Sequence, residues 1–312
     1  MIAARQSPVS TARDAVLQHV TKHGALYLMV LPAAALVFIF NYIPMYGIVI
    51  AFQDYQPIHG FSGSPFAGLQ WFRAMFSMPD SGQIFYNTLF IALLKIIFGQ
   101  LAPITFALLL NEIAVKSYKR TIQTLTYLPH FLSWVMIGGI FIDLLSTKGI
   151  INHFLNTMGV ESIFFLGSNK WFRFTLVVTD VWKGFGWGTI LYLAALSGID
   201  PNLYEAAVVD GANRVRRMWH ITLPGIVPTV VLLATLSLRG ILDAGFEQVF
   251  MLYNPAVYRT GDIIDTFVYR IGLIDAQYSL ATAVGLLKSV IGLFLIALSY
   301  RLAARFANYR IF

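Results

Sequence analysis

The sequence predicts an all-α protein that crosses a membrane several times, and three observations carry that prediction. Of 312 residues, 57% are hydrophobic and only 12% are charged, whereas soluble domains carry about 25% charged residues. Mean hydropathy is high, at +0.69. Six apolar runs, near 26–52, 84–110, 124–145, 172–197, 225–242 and 282–302, are close to or beyond the length that spans a hydrocarbon core.

The first run starts near Leu26 behind a polar tail at 1–25, and its length makes it an anchor rather than a cleavable signal. Pro32, Pro44 and Pro103 interrupt runs, which membrane helices tolerate when neighbours satisfy the freed backbone groups. The fifth run is the shortest and could extend beyond residue 242. No internal repeat is visible, so inverted-repeat architectures find no support.

Charge in the loops sets the expected orientation. Arg5, Arg13 and Lys22 precede the first run, Lys116, Lys119 and Arg120 lie between the second and third, and Arg214, Arg216 and Arg217 lie between the fourth and fifth. Arg301, Arg305 and Arg310 close the chain, while connections of the other parity hold acids such as Asp262, Asp265 and Asp275. The positive-inside rule then makes both termini and the 198–224 segment cytoplasmic. Of the outward connections, 53–83, 146–171 and 248–281 are long for simple turns, and Gly68-Leu69-Gln70-Trp71-Phe72 suits a short interfacial element. Interfacial packing explains them, and so does a docking surface for an extracytoplasmic partner.

Other function classes find no anchor. Without cysteine the chain has no disulfides, thiolate chemistry or cysteine-ligated metal, and its redox compartment stays open. There is no Gly-Lys pair, hence no Walker A loop, and no Gly-x-Ser-x-Gly elbow. His19, His23, His59, His130, His153 and His220 lack metal-ligand spacing. The net charge of +7 is dispersed over short loops, which argues against nucleic acid. Catalytic and metal-binding residues are therefore not expected.

The segment at 198–224 is the most informative. Asp200 before Pro201 reads as an N-cap with proline at the first helical position, and Gly211 suits a helix end in the left-handed conformation. A second short helix is expected from about Asn213 to His220, after which Pro224 and Pro228 restrict the backbone. On local pattern alone this is either a helical loop or a knob shaped to fit a groove on a partner.

Charges inside the runs need partners or water, because each costs roughly 2.5–3.5 kcal/mol in hydrocarbon. Asp180 and Lys183 share a helical face with Trp187 one turn further on, and Arg239 and Asp243 are followed by Phe246, Glu247 and Gln248. Carboxylates beside aromatics suit a sugar, whose hydroxyls need hydrogen bonds and whose ring face needs a flat apolar cover. Equally, Asp180–Lys183 and Arg239–Asp243 read as intrahelical ion pairs. Lys95, Asp143 and Lys288 look isolated, and are expected to snorkel or to pair with another subunit.

A wider pattern fills in 198–224. Glu205-Ala206-Ala207, three residues, Gly211, nine residues, then Ile221-x-Leu223-Pro224 resembles the coupling loop of ABC importer permeases. The resemblance extends over about residues 26–308. Pro44-Met45-Tyr46-Gly47, Tyr127-Leu128-Pro129-His130 and Ala244-Gly245-Phe246-Glu247-Gln248 resemble the first permease of pectin-fragment, lipooligosaccharide-type and alginate importers, among which the alginate importer is the single choice. The resemblance implies a type I importer transmembrane-domain fold, with a six-helix permease domain over 26–312 in a bacterial cytoplasmic membrane. It also implies a second permease, two ATPase subunits holding ATP and Mg, an extracytoplasmic solute-binding protein, and alternating access. No cofactor is implied on this chain itself.

By this resemblance Glu205, Ala206, Ala207, Asp210 and Gly211 sit in the ATPase groove. Similarity to maltose permeases further implies substrate contacts at Asp180, Lys183, Gly184, Trp187, Ser237, Gly240, Ile241, Ala244 and Phe246. The asparagine-rich run of maltose permeases is here Arg239-Gly240-Ile241-Leu242-Asp243, which fits a wider path for a longer chain. An ABC permease for a simpler sugar is the alternative. An ion-coupled carrier working alone, with Asp143 and Asp180 as ion sites, is the reading from another class.

Overall fold

The computed structural model describes residues 22–306, with side chains through 298 and at 301. Residues 1–21, including Arg5 and Arg13 of the expected tail, and Arg310 lie outside the described residues. Among the described residues every regular element is helical, apart from one isolated bridge between Gln53 and Phe66. Five helical segments are long and apolar enough to cross a membrane: α1 Gly24–Phe52, α3 Ser81–Asn111, a broken segment Trp134–Thr157, α9 Arg214–Gly240, and the last helix from Tyr278. A sixth long helix, α7 Phe172–Ser197, has 26 residues but carries Arg173, Asp180 and Lys183. It fills the place of the fourth predicted run.

Between α1 and α3 runs the helix α2, Gln70–Ser77, which overlaps the short interfacial element expected at Gly68–Phe72 and continues beyond it. Its Trp71 Nε1 donates to the Gln53 carbonyl at 2.8 Å, and Met75 is buried.

The third predicted run is not one helix. α4 covers Lys116–Tyr127, a 3-10 turn covers Leu128–Phe131, and α5 covers Trp134–Leu145. Pro129 contributes no backbone N–H to the turn, and Ser133 restarts the helix by accepting a hydrogen bond from the Met136 amide. α6, Ile150–Thr157, follows after a turn.

The fifth run is also corrected at both ends. The chain after Asn213 forms no separate short helix but enters α9 directly, through a π turn at Met218–Thr222 just before Pro224. At the far end α9 stops at Gly240 instead of extending beyond residue 242. There Gly245, at φ +85°, turns the chain into α10, Phe246–Leu252. α11, Ile264–Tyr269, precedes α12, Tyr278–Phe306.

α3 and α7 form the spine. Thr189 donates to the Pro103 carbonyl at 3.3 Å where α7 crosses the proline-interrupted part of α3, and Gly188 leaves room for the Pro103 ring there, while Gly186 lets α7 approach Thr126 of α4. The buried apolar residues form three modest clusters. One centres on Ile91, Phe172 and Val249, one on Met75, Ile264 and Leu280, and one on Ala107, Tyr192 and Ile226. Much apolar surface lies outside them. No residue of Gly24–Val37 is buried, although the segment is almost wholly apolar. Such a helix needs lipid or another subunit as its solvent.

Candidate functional site

Two places carry the residues singled out in the sequence. The first is the helix–glycine–helix corner. α8, Pro201–Val209, starts where the Asp200 side chain accepts from the Asn202 amide at 2.9 Å. It ends in a Schellman motif: the Gly211 amide donates to the Val208 carbonyl at 3.0 Å and the Ala212 amide to the Ala207 carbonyl at 2.8 Å. Gly211 has φ +75° and nothing within 4 Å of a Cβ placed there, so the corner is open on its outer side. Asn213 then caps α9 by accepting from the Arg216 amide at 2.8 Å.

The corner is displayed rather than packed. No residue of α8 is buried, and Glu205, Ala206, Asp210 and Gly211 are exposed, with Val209 87% exposed. Its attachment is through Tyr204, whose hydroxyl donates to the buried Thr222 Oγ1 at 3.0 Å, in the π turn between Ile221 and Leu223. Pro224 is exposed at the start of the straight part of α9.

The second place is a cleft of ≈370 Å³ between α3, α7 and the end of α9, lined by Lys95, Gln100, Asp180, Ser237, Gly240 and Asp243 among others. Lys95, expected to be isolated, is its organising charge. Its ammonium lies 3.4 Å from Asp180 Oδ1 and donates to the Ala244 carbonyl at 2.7 Å and to Gln248 Oε1. Three donors thus find three acceptors, as a buried ammonium requires. The Gln248 amide nitrogen in turn donates to the Leu176 carbonyl at 2.8 Å and Thr179 Oγ1 at 2.7 Å. Gln100 Nε2 donates to Ser237 Oγ at 3.1 Å and its Oε1 accepts from Tyr192.

The intrahelical ion pairs do not form. Asp180 is turned toward Lys95, while Lys183 donates to the His130 carbonyl at 3.1 Å and stands 5.6 Å from the Trp134 ring centre. Arg239 and Asp243 cannot share a helical face because the helix ends between them, and Asp243 instead accepts from the Gly245 amide at 3.1 Å. Lys288 is not isolated either, since it pairs with Asp265 at 2.5 Å. Asp143 is exposed and has no ion pair among the described residues.

The other pathway candidates scatter around this cleft. Trp187 stacks parallel on His130 at 4.7 Å, one turn from Lys183, and Gly184 lies between them with open space beside it. Ile241 is half-buried in the turn after α9, and Ala244 is fully buried, contributing only its carbonyl. Phe246 lines a separate, larger apolar groove of ≈1000 Å³ between α1, α11 and α12. Sequence reasoning missed Lys95 and Gln248 as members of the site. The visible signal was a glutamine one turn into α10, among residues that are otherwise mostly apolar.

A further polar layer lies at the end of the fold opposite the corner. Asn87 is completely buried and joins α3 to Arg259, Asp262 and Arg173. Arg270 pairs with Asp262 at 2.5 Å. Burial works to lower the Arg270 pKa, but the hydrogen-bonded Asp262 carboxylate outweighs it and holds the guanidinium above its ordinary value.

Residues 99–308 match the family described as the binding-protein-dependent transport system inner membrane component. The chain belongs to that family. It is 43% identical over 305 residues to Protein LplB of Bacillus subtilis (strain 168), covering 97% of this chain and 96% of the relative. It is also 43% identical over 297 residues to the polygalacturonan/rhamnogalacturonan transport system permease protein YteP of the same organism, covering 95% of this chain and 92% of that one. Among solved structures, a chain of a bacterial ABC transporter involved in the import of the acidic polysaccharide alginate superposes with a TM-score of 0.85. It shares 37% identity, with 94% of this chain and 99% of that chain covered. The protein is a multi-pass membrane permease and not itself an enzyme. Membership also sets aside a solitary ion-coupled carrier.

Proposed function

We propose that this permease is one of two different membrane subunits of an ATP-driven importer of oligo- or polysaccharide, with an acidic chain such as alginate as the preferred cargo. The observation that carries the reading is end-to-end similarity to a permease chain of a solved alginate importer. The corresponding complex with a periplasmic protein holding an alginate pentasaccharide matches at 37% identity and a TM-score of 0.84. A relative named for polygalacturonan adds a second acidic saccharide. The cleft supplies hydrogen-bonding groups for a hydroxylated chain at Gln100, Asp180 and Ser237, with the Asp180 charge offset by the buried Lys95. A simpler cargo is the second reading, favoured by 31% identity to the sn-glycerol-3-phosphate transport system permease protein UgpA of Pectobacterium atrosepticum.

In this reading α7 is the sixth span. Its 26 residues would reach ~39 Å at 1.5 Å per residue, and Lys95 neutralises its Asp180. Both termini and the 198–224 corner face the cytoplasm, in the bacterial cytoplasmic membrane. Glu205, Ala206, Ala207, Asp210 and Gly211 enter a groove on an ATPase subunit, while Ile221, Leu223 and Pro224 join the corner to α9. ATP and Mg reside on the two ATPase subunits, whose closure draws the coupling corners together. Because α8 follows α7 and leads into α9, that movement is transmitted to two of the helices that line the cleft. A solute-binding protein delivers cargo to the opposite face.

The test is purification of the tagged chain from membranes in mild detergent. A Walker-motif ATPase and a second permease with its own Glu-Ala-Ala loop are expected in stoichiometric amount. A chain that purifies alone and transports in liposomes without ATP overturns the reading. With the complex in hand, ATPase stimulation by binding protein loaded with alginate, polygalacturonate or neutral oligosaccharides ranks the cargo.

A further inference from the structure

We propose that the junction of α3 and α7 holds an anionic phospholipid, with its phosphate among Lys170, Arg173 and Arg259 and an acyl chain in the groove below. This goes beyond the transport reading and requires no particular cargo.

Two contiguous hollows form the site. The upper one, of ≈410 Å³, is polar and is lined by Gln83, Tyr86, Asn169, Lys170, Arg173, Arg259 and Thr260. The lower one, of ≈610 Å³, shares Asn169, Lys170 and Arg173 with it and continues between Phe90, Leu94 and Phe98 of α3 and Phe174, Val178 and Trp182 of α7. Each trio is spaced four residues apart, so each presents one stripe of its helix to the groove.

The upper hollow has positive charge without a counter-charge. Arg173 donates to two neutral acceptors, the Thr260 carbonyl at 3.0 Å and Asn87 Oδ1 at 2.6 Å, and lies over the Tyr86 and Phe90 rings at 5.2 and 5.1 Å. Among the described residues the ion pairs are Lys95–Asp180, Arg270–Asp262 and Lys288–Asp265, so Lys170, Arg173 and Arg259 face no carboxylate. Asn169 and Thr260 satisfy one another at 2.9 Å and brace the rim. Three cations around one small hollow call for an anion, and guanidinium suits phosphate in particular.

The groove decides which anion. From Arg173 to Trp182 the helix rises ~13 Å, close to half of a hydrocarbon core about 30 Å thick. Cations at one end of a leaflet-deep apolar trough match a headgroup above an acyl chain. A saccharide lying there would leave its hydroxyls unpaired against Phe, Leu, Val and Trp. Three cations also repel a choline headgroup, so phosphatidylglycerol should be preferred over phosphatidylcholine. With the topology proposed above, the site faces the extracytoplasmic leaflet; the binding itself does not depend on that assignment.

The experiment titrates the intact purified complex with dioleoyl-phosphatidylglycerol or dioleoyl-phosphatidylcholine and counts bound lipid by native mass spectrometry. Lys170→Gln with Arg259→Gln, which leaves Arg173 and its structural hydrogen bonds in place, is expected to lower phosphatidylglycerol occupancy about fivefold, each lost phosphate contact at these exposed side chains being worth about as much as a surface ion pair. Phosphatidylcholine occupancy should not change. Val178→Trp, which fills the groove, is expected to lower both. Phosphatidylglycerol retention at the original level in the double variant overturns the proposal, as does full retention in Val178→Trp. The chain has no cysteine, so Val178→Cys gives a single reporter. Labelling by a lipid-phase maleimide supports the site, whereas cross-linking to the second permease would make the groove a protein interface and overturn it. Protection of that cysteine from the maleimide by alginate oligosaccharide in the absence of lipid would equally overturn it.

Discussion

In the corner at 201–213, every structural device is local. Asp200 caps its neighbour two residues on, Gly211 closes onto Val208, and Asn213 caps Arg216. In the cleft the devices are non-local. Lys95 of α3 meets Asp180 of α7 and the Ala244 carbonyl, and Gln248 of α10 reaches back to Thr179. The corner can therefore keep its shape while its surroundings move. The cleft has shape only while four segments stay together. On the function proposed above, a partner seizes the corner while the cleft opens and closes, and these opposite demands match the two constructions.

The largest effect should come from the corner's outermost point. Gly211→Asp is expected to reduce uptake to background while the complex still inserts, because a left-handed residue with open space around it must instead present a carboxylate to the partner. Gly211→Asn, which tolerates the same backbone conformation, should recover part of the uptake. Equal loss in both variants would mean that any side chain fails there. Uptake at the original level in Gly211→Asp would remove the corner from the coupling path.

Next in size is the cleft. Lys95→Met leaves Asp180 without its cation, and breaking such a pair costs about 3 kcal/mol, at the low end because Asp180 is 35% exposed. Thermal unfolding of the complex reads the loss, and Lys95→Met with Asp180→Leu should restore much of it. A single variant as stable as the parent would show that the network does not tie the four segments together.

The same contrast decides what was legible. Asp200, Pro201, Gly211 and Asn213 act within a few residues of themselves, so the corner could be read directly, except that its second helix runs unbroken into α9. That continuation depends on the π turn at Met218–Thr222, which no single residue announces. In the cleft the chemistry was visible but the partners were not. Asp180 was marked with Lys183 because they are neighbours in sequence, whereas the fold gives Asp180 a lysine from another helix. Pro129 and Ser133 did signal a break in the third run, but apolar character continued across them and outweighed it. Periodicity and hydropathy find helices; they do not say which helices touch.

A smaller effect is expected from Trp187→Ala. The indole is 44% exposed and stacks on His130, so its loss removes one wall beside the cleft without touching the corner. Substrate-stimulated ATPase activity should need several-fold more loaded binding protein for half its maximum, with the ATPase still bound. Unchanged stimulation across concentrations would move the pathway away from this face of α7.

The smallest effect should come from the link between the two regions. Tyr204→Phe deletes one hydrogen bond to the buried Thr222 and should cost ~0.5–1.5 kcal/mol, because the ring remains and Thr222 Oγ1 keeps a longer contact to the Arg217 carbonyl at 3.4 Å. Little change in assembly is expected, since the caps at Asp200 and Asn213 are intact. What should change is the number of ATP molecules hydrolysed per substrate imported, because a corner less firmly tied to α9 transmits less of its movement to the cleft. Measured together in proteoliposomes, the two rates separate the possibilities. A raised ratio at normal ATPase activity places Tyr204 in transmission, and a proportional fall in both rates would place it in docking instead.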